Sequence, residues 1–502
     1  VRVSAAIDTA IAAIAPLWGL RRRQARAAMK AYEATEINRT RRRVARDNRS
    51  GDAVVRSAGT SLRAQARHLE RNHDIARGAI GVMVNNICGP QGVGIEPQPR
   101  TLAGEIHEGL GAAMLELWRD WSRHPEVTWA NDWAATQRLM CRSWVRDGEV
   151  LAQVLEGRVP MLDHGTRVPL SLEMLEADLL PLDLEDEARG IRQGVEVNAW
   201  RRARAYHLYK SHPGDRVSMA RGAPFKRVTA ERVLHLKLTD RIHQLRGVSP
   251  FAAIITRLDD IKDYEESERV AAKVAASMAA MIVKGTPDFY DPDKTADPRE
   301  IKFTPGMVFD DLMPGETVEV IDSKRPNPNV ETYRNGQLRA AAAGLGVSYS
   351  SMAKHYDGNY SAQRQELVEQ WVHYAVVAQA FTAQFVRPVW ERFVGVAITA
   401  GLLDIPADLD PQTLDDALYI GQAMPWIDPK KEAEALEKQE QAGYMSGPEI
   451  IRRRGANPRE VLEQEAAWRK RLRDRGVVVT ADPANDIPAA AAPAATDPMD
   501  NA

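Results

Sequence analysis

The sequence predicts an α+β protein, mostly helical, in which a β-rich unit and a small β insertion interrupt long helices. Three observations carry that expectation. Residues 63–86, 109–145, 250–283 and 363–398 place apolar side chains at helical spacing. Residues 150–238 break instead into short runs of strand length. Seven prolines (Pro287, Pro292, Pro298, Pro305, Pro314, Pro326 and Pro328) exclude a long helix between Gly285 and Asn329.

Taken in order, the first 62 residues form a basic arm. From Arg21 to Arg67 there are thirteen arginines and Lys30 against Glu33, Glu36, Asp47 and Asp52. Its clusters Arg21, Arg22, Arg23 and Arg41, Arg42, Arg43 can hold phosphates or an acidic protein surface, and read equally well as a solvated helix and loop face. A helix follows over 63–86, with Leu69, Ile75, Ile80 and Val84 on related turns; Gly89-Pro90-Gln91-Gly92-Val93-Gly94 stops it. That glycine loop lacks the Lys-Ser/Thr pair a nucleotide loop needs. Trp118, Trp121, Trp129, Trp133 and Trp144 mark the next helical region as core packing.

Strands are expected at Glu149–Val154, Val195–Val197, Ala205–Tyr209 and Val233–Leu236. Pro250 opens the longest helix, running to about Val283, with Phe251, Ile254, Leu258 and Ile261 as its apolar face. The proline-broken insertion has strand-like pieces at Met307–Phe309 and Thr317–Ile321. Tyr333–Leu345 is helical again, Ser348–Tyr360 is a polar loop, and Gln363–Ile398 is a long helical region that Pro388 interrupts. Charged helices cover Lys430–Gly443 and Gly447–Arg475, and the tail from Thr480 to Ala502 is rich in Ala, Pro and Asp without Lys or Arg, a disordered composition.

Composition bounds the function. A chain of 502 residues exceeds a single core, and 44% hydrophobic with 27% charged residues is an ordinary folding composition. A net charge of −2 argues against a histone-like protein. Cys88 and Cys141 supply neither a disulfide framework nor a paired-cysteine zinc motif, which favours a reducing compartment. Apolar runs stop well short of the roughly 18 to 20 residues that cross a bilayer, so no membrane partner is expected.

The catalytic patterns are missing. There is no G-x-x-x-x-G-K-[ST], H-E-x-x-H or G-x-S-x-G, and the eleven histidines lack ligand spacing, so no cofactor, metal or active site is expected. Ser351-Met352-Ala353-Lys354 matches S-x-x-K without a following K-T-G; it leaves a Ser-Lys hydrolase as a remote reading. One constellation stands out. Asp259, Asp260, Asp263, Glu265, Glu266 and Glu268 crowd ten residues of the longest helix, and Asp259, Asp263 and Glu266 share a face. In a monomer that is a solvated surface; repeated around a ring it is a negative tunnel wall.

The ordered run of motifs resembles the lambda family of tailed-phage portal proteins from about Pro16 to Leu403. It is carried by Ala15-Pro16-Leu17-Trp18 with the Arg run and Ala31-Tyr32, then by Leu69-Glu70-Arg71-Asn72 through Val84-Asn85-Asn86-Ile87-Cys88-Gly89. Asp147-Gly148-Glu149, Gln244-Leu245-Arg246-Gly247-Val248-Ser249-Pro250-Phe251, Pro305-Gly306, Leu312, Pro314-Gly315-Glu316 and Asn359-Tyr360-Ser361-Ala362-Gln363-Arg364 complete it.

The resemblance implies a portal fold of wing, stem, clip and crown, assembled as a ring of usually twelve subunits at one capsid vertex. Laid on this chain, it divides 1–62 as the arm, 63–248 as wing, 249–284 as stem helix and 285–330 as clip. Residues 331–346 become the returning stem helix, 347–361 the tunnel loop, 362–428 wing and crown helices, 429–478 crown or C-terminal helices, and 479–502 a disordered tail. Double-stranded DNA would pass along Asp259, Asp263 and Glu266, and Lys354, His355, Tyr356 and Asn359 in the tunnel loop would touch it briefly. Implied partners are the terminase large subunit, the major capsid or scaffold protein and the head-completion proteins, in the host cytoplasm during assembly and then in the virion. The competing reading is a sequence-independent DNA-binding protein acting through the Arg21 to Arg67 arm.

Overall fold

The computed structural model describes residues 49–215, 225–277, 281–284, 316–319, 327, 329–356, 358–424, 428–475 and 477. Contacts divide the chain into two compact units, Val1–Val54 and Val55–Ala502. Helix α1 (Gly51–Asn72) therefore reaches back into the expected arm. It does not run on to residue 86. His73 adopts an extended conformation, φ −121° and ψ 114°, and α2 (Asp74–Ile87) starts after it. The buried His73 ring lies with Nε2 3.0 Å from the Leu258 carbonyl oxygen, a tertiary bond that fixes the break.

After β1 (Gly94–Pro97) come α3 (Glu108–Trp121) and α4 (Trp133–Asp147). Asp132 caps α4 by accepting the Ala135 N–H at 2.7 Å, and Gly148, at φ 84°, ends it. The tryptophans are core, as expected, except for the half-exposed Trp129. Trp118, Trp121, Trp133, Phe385, Trp390 and Phe393 contact one another with centroids 4.7 to 5.8 Å apart. Two of the buried indole nitrogens find carbonyls: Trp121 Nε1 donates to Leu170 at 2.8 Å and Trp390 Nε1 to Asp415 at 2.9 Å.

The β-rich unit is two antiparallel sheets. In the first, β2 (Glu149–Glu156) lies between β3 (Leu170–Leu175) and β8 (Val233–Lys237), with Leu151 opposite Leu175 and His235. The second runs β4 (Ile191–Arg192), β5 (Val195–Val197), β6 (Ala203–Tyr209), β7 (Phe225–Thr229) in chain order. Leu151, Leu175, Val195, Tyr206, Leu208, Val228 and Val233 share a small core of their own.

Ser249 accepts the Phe251 N–H at 3.2 Å, the Pro250–Ala253 turn follows, and the long helix is α5 (Ile255–Ser277). It stops short of Val283. Met281–Lys284 is instead strand β9, paired antiparallel with β10 (Glu316–Glu319). The β-branched Ile282 and Val283, just ahead of Gly285 and Pro287, favour extended backbone. Strand β10 overlaps the expected Thr317–Ile321 strand, whereas Met307–Phe309 lies outside the described residues.

Helix α6 (Val330–Leu345) packs back on α5: the Tyr264 and Tyr333 rings meet at a tilt with centroids 4.7 Å apart, Arg334 pairs with Glu265, and Leu338, Ala341 and Leu345 join Ile254, Leu258 and Ile261 in the main core. Gly346, at φ 69°, ends it. Then come α7 (Tyr349–Ala353), α8 (Tyr360–Phe381) and α9 (Arg387–Thr399). Pro388 does not break the α8–α9 run. A π-helical turn, Thr382–Val386, precedes it and absorbs the hydrogen bond a proline cannot give.

Strand β11 (Ala417–Ile420) returns to pair with β1, a long-range closure the sequence does not signal. The last helices, α10 (Pro429–Gln441), α11 (Gly447–Arg453) and α12 (Pro458–Asp474), bury almost nothing. Charge holds α11 and α12: Arg452 to Glu96 at 2.8 Å, Arg459 to Glu108 at 2.6 Å, and Glu460 to Arg119 at 2.7 Å. Among the described residues no helix is long and apolar enough to cross a membrane.

Candidate nucleic-acid interface

The acidic crowd on α5 divides by helical geometry. Ile255, Leu258 and Ile261 are buried, so Asp259, Asp260, Asp263 and Glu266 fall on the exposed side. Glu265 is drawn to Arg334 of α6, and Glu268 accepts the Asn327 N–H at 3.3 Å. Lys262, the one cation within the stretch, donates to the Asn72 carbonyl at 2.8 Å. Glu266 touches Arg269 at 3.4 Å. What faces solvent is a carboxylate row whose i, i+4 repulsion costs a few tenths of a kcal/mol per pair in the isolated chain, roughly 0.2–0.5 each.

The polar loop after α6 is more ordered than its composition suggests. Ser348 accepts the Ser351 N–H at 3.0 Å and opens α7, Lys354 ends it in the left-handed conformation at φ 55°, and Asn359 accepts the Ala362 N–H at 2.8 Å to open α8. Lys354, Tyr356 and Asn359 are exposed; His355 is half-buried with its ring 6.0 Å from that of Tyr349. Tyr356, Tyr360, Arg364, Glu366 and Gln370 line a cavity of about 180 Å³. Ser351 donates its hydroxyl to Gln370 Oε1 at 3.3 Å, an amide oxygen with no basicity to activate it, and Lys354 has left the helical face; the Ser-Lys reading fails on both counts. Arg21, Arg22, Arg23, Arg41, Arg42 and Arg43 lie outside the described residues.

Two of the sequence motifs, Asp147-Gly148-Glu149 and the segment Gln244 to Phe251, build a buried charge network that their local sequence does not signal. Glu149, fully buried, binds Arg246 at 2.6 Å, Arg63 at 2.9 Å, His235 at 3.0 Å and the Gly247 N–H at 2.9 Å. Arg246, equally buried, also donates to the carbonyls of Leu180 at 2.8 Å and Gln193 at 2.9 Å. An outer layer surrounds them: Arg67 joins Asp147 at 2.7 Å to Asp178 at 2.5 Å, and Arg142 and Arg146 reach Glu70 at 2.6 and 3.0 Å. A Cβ on Gly148 would overlap the Val248–Ser249 backbone, and one on Gly247 would overlap the Gly148 carbonyl. The network ties α1, α4, β2 and β8 to the segment that launches α5.

Its protonation makes acid the destabilising direction. Burial would raise the Glu149 carboxyl, but Arg246, His235 and Arg63 outweigh burial and hold it well below its ordinary 4.5. That stabilisation is complete above 4.5 and is lost as pH falls through the lower folded value. Burial lowers His235 from 6.5 despite Glu149, so below 6.5 the unfolded chain takes up this proton first and stability again declines. We expect the melting temperature to fall from pH 7 toward pH 4 (about the carboxylate range), with His235→Gln flattening the upper part of the profile. A melting temperature that rises on acidification would contradict this.

With that geometry in hand, comparison with known proteins decides the family. A family model described as "Phage portal protein, lambda family" matches residues 38–377. The chain belongs to this family. Relatives are described as portal proteins. A "Probable portal protein" of Halomonas phage phiHAP-1 is 25% identical over 450 residues, covering 85% of this chain and 84% of its own. "Portal protein B" of Escherichia phage lambda is 21% identical over 310 residues, covering 56% of this chain and 58% of its own. Among solved structures, a chain from "Virion of native gene transfer agent (GTA) particle" is similar with a TM-score of 0.45 at 13% identity, over 81% of this chain and 99% of that one. A chain from "Neck of native GTA particle computed with C12 symmetry" gives 0.42 at 13% identity, over 80% and 94%. None of these descriptions names a catalytic activity. The resemblance read from the motifs is thereby borne out. The family match takes in the buried network, α5, α6 and the loop before α8, and ends within α8.

Proposed function

We propose that this portal protein assembles into a ring at the capsid vertex and that double-stranded DNA passes through it, along the exposed carboxylates of α5. The observation that carries the reading is the exposed row Asp259, Asp263 and Glu266 on a helix that buries Ile255, Leu258 and Ile261. A duplex bears a charge about every 1.7 Å, so a basic wall would hold it and an acidic one lets it slide. Repulsion decays over about 8 Å at physiological salt, enough to centre a duplex without blocking it.

Within this reading Lys354, His355, Tyr356 and Asn359 face the DNA where the channel narrows. The β9–β10 insertion is the docking site for the terminase large subunit and later for head-completion proteins, and the outer surface meets the major capsid or scaffold protein. The protein works in the virion after assembly in the host cytoplasm, without chemistry of its own. Lys354→Ala should leave ring formation intact and shorten DNA retention in filled particles, measured as nuclease-accessible DNA over time. Unchanged genome length and retention would remove Lys354 from the contact surface.

A further inference from the structure

The chain has two cysteines, and the fold brings them together. Cys88 closes the C-terminal end of α2, donating its backbone N–H to the Val84 carbonyl at 3.0 Å, while Cys141 sits within α4; both are fully buried. Helix geometry explains the meeting. The Cys88 thiol lies 3.8 Å from the Gln137 carbonyl oxygen, and Gln137 stands one turn before Cys141 on the same face of α4. Side chains on a helix lean back toward its N-terminus, so the Cys141 thiol comes down over the turn that Cys88 already occupies. Burial and then the Cys88 thiol push the Cys141 thiol well above its ordinary 9.0. The contact is also held from outside the pair. The Val93 N–H donates to Gln137 Oε1 at 2.9 Å and Arg138 reaches the Pro90 carbonyl, so the loop that follows Cys88 is strapped to the same turn of α4. A Cβ on Gly92 would overlap the Gln137 amide, which reserves this approach for glycine.

A single buried cysteine is a small apolar side chain. A pair in contact has a further chemistry, because the first sulfur to be oxidised has a partner waiting. We propose that Cys88 and Cys141 are a modification site at which mild oxidation forms an intrachain disulfide, tying α2 to α4 and closing the loop that contains α3. Hydrogen peroxide suffices as the oxidant. It converts the Cys88 thiol to a sulfenic acid and is itself reduced to water; the Cys141 sulfur then attacks the Cys88 sulfur, the S–O bond breaks, and the hydroxyl leaves with the Cys141 proton as a second water. Cys88 reacts first because it stands at a helix end beside exposed Pro90 and Gln91, whereas Cys141 is enclosed along α4 and its thiol is held protonated. In the portal reading the chain is made in a reducing cytoplasm and carried out in a particle, which puts the bond after release. That timing rests on the reading; the chemistry does not.

The test uses the full-length wild-type protein, treated with hydrogen peroxide under native conditions, quenched with catalase, then unfolded and alkylated. Untreated protein takes up two alkyl groups. Treated protein should take up none, lose about 2 Da, and yield a peptide pair joining Cys88 to Cys141 that dithiothreitol separates. Its melting temperature should rise by roughly 4 °C, because the crosslink restricts the unfolded chain, and should return on reduction. Cys141→Ser leaves Cys88 without its partner, so dimedone should trap a sulfenic acid there at least about tenfold more than in wild type. The wild-type peptide map decides the matter even where that variant folds poorly. Two free thiols after peroxide, a disulfide between copies instead of within one, separate oxidation of each sulfur to a sulfinic acid, or equal dimedone trapping in the folded variant and wild type would overturn the pairing. A linked pair with no rise in melting temperature would overturn its role as a tie between α2 and α4.

Discussion

Glu149→Gln is expected to remove about 3–5 kcal/mol of folding stability, the cost of breaking a buried ion pair from one side. The glutamine fits the space but leaves the fully buried Arg246 and the nearly buried Arg63 without their shared anion. Both guanidiniums would remain inside, since the arginines are held by carbonyls and by Asp178. With total stabilities of roughly 5–15 kcal/mol, such a loss leaves little folded protein. Glu173→Gln is the control: its pair with Lys226, 3.3 Å apart, is about one-third exposed on both sides and should be worth less than about 1 kcal/mol. Denaturant midpoints for the two variants would separate the cases, and a Glu149→Gln protein within about 1 kcal/mol of wild type would show that the network is not a keystone.

The second large effect belongs to the channel. The triple variant Asp259→Lys, Asp263→Lys, Glu266→Lys turns three exposed anions per subunit into three cations, at positions whose side chains touch little of their own chain. Folding should therefore change by less than about 1 kcal/mol. The wall would become a ladder of phosphate contacts, and because each contact adds to the salt slope, binding of free duplex to the ring should rise steeply as salt is lowered. DNA packaged per particle, measured as nuclease-protected genome, should fall by at least about tenfold while ring formation persists. Normal packaging by the triple variant would remove these residues from the channel wall.

Local patterns made much of the fold legible in the sequence. Val195–Val197 is the strand that its alternation predicts, and α6 begins within three residues of its expected start and ends at the expected Leu345, where Gly346 follows. Pairings between distant residues were not legible. The break at His73 depends on a carbonyl 185 residues away, and β1 finds β11 across more than 300 residues of chain. The end of α5 was overrun because Ala-rich sequence continues to read as helix up to the point where β9 pairs with β10.

The candidate site shows the same division. The acidic row was visible because helical spacing alone puts Asp259, Asp263 and Glu266 on one face. The Glu149–Arg246 clamp was not, although both residues lay in quoted motifs. A charged residue beside an apolar strand run is the only local signal, and nothing in either motif names a partner 97 positions away. The same distance problem explains the apparent S-x-x-K pair: the spacing suits a continuous helix, but α7 ends at Ala353 and Gln370 claims the Ser351 hydroxyl.

Electron microscopy of the purified full-length protein tests the central claim most directly. The account predicts closed rings with an open centre wide enough for a duplex, and density for α5 placing Asp259, Asp263 and Glu266 toward that centre. Monomers or closed two-fold dimers across the accessible concentration range, or rings with that face of α5 turned outward, would contradict it.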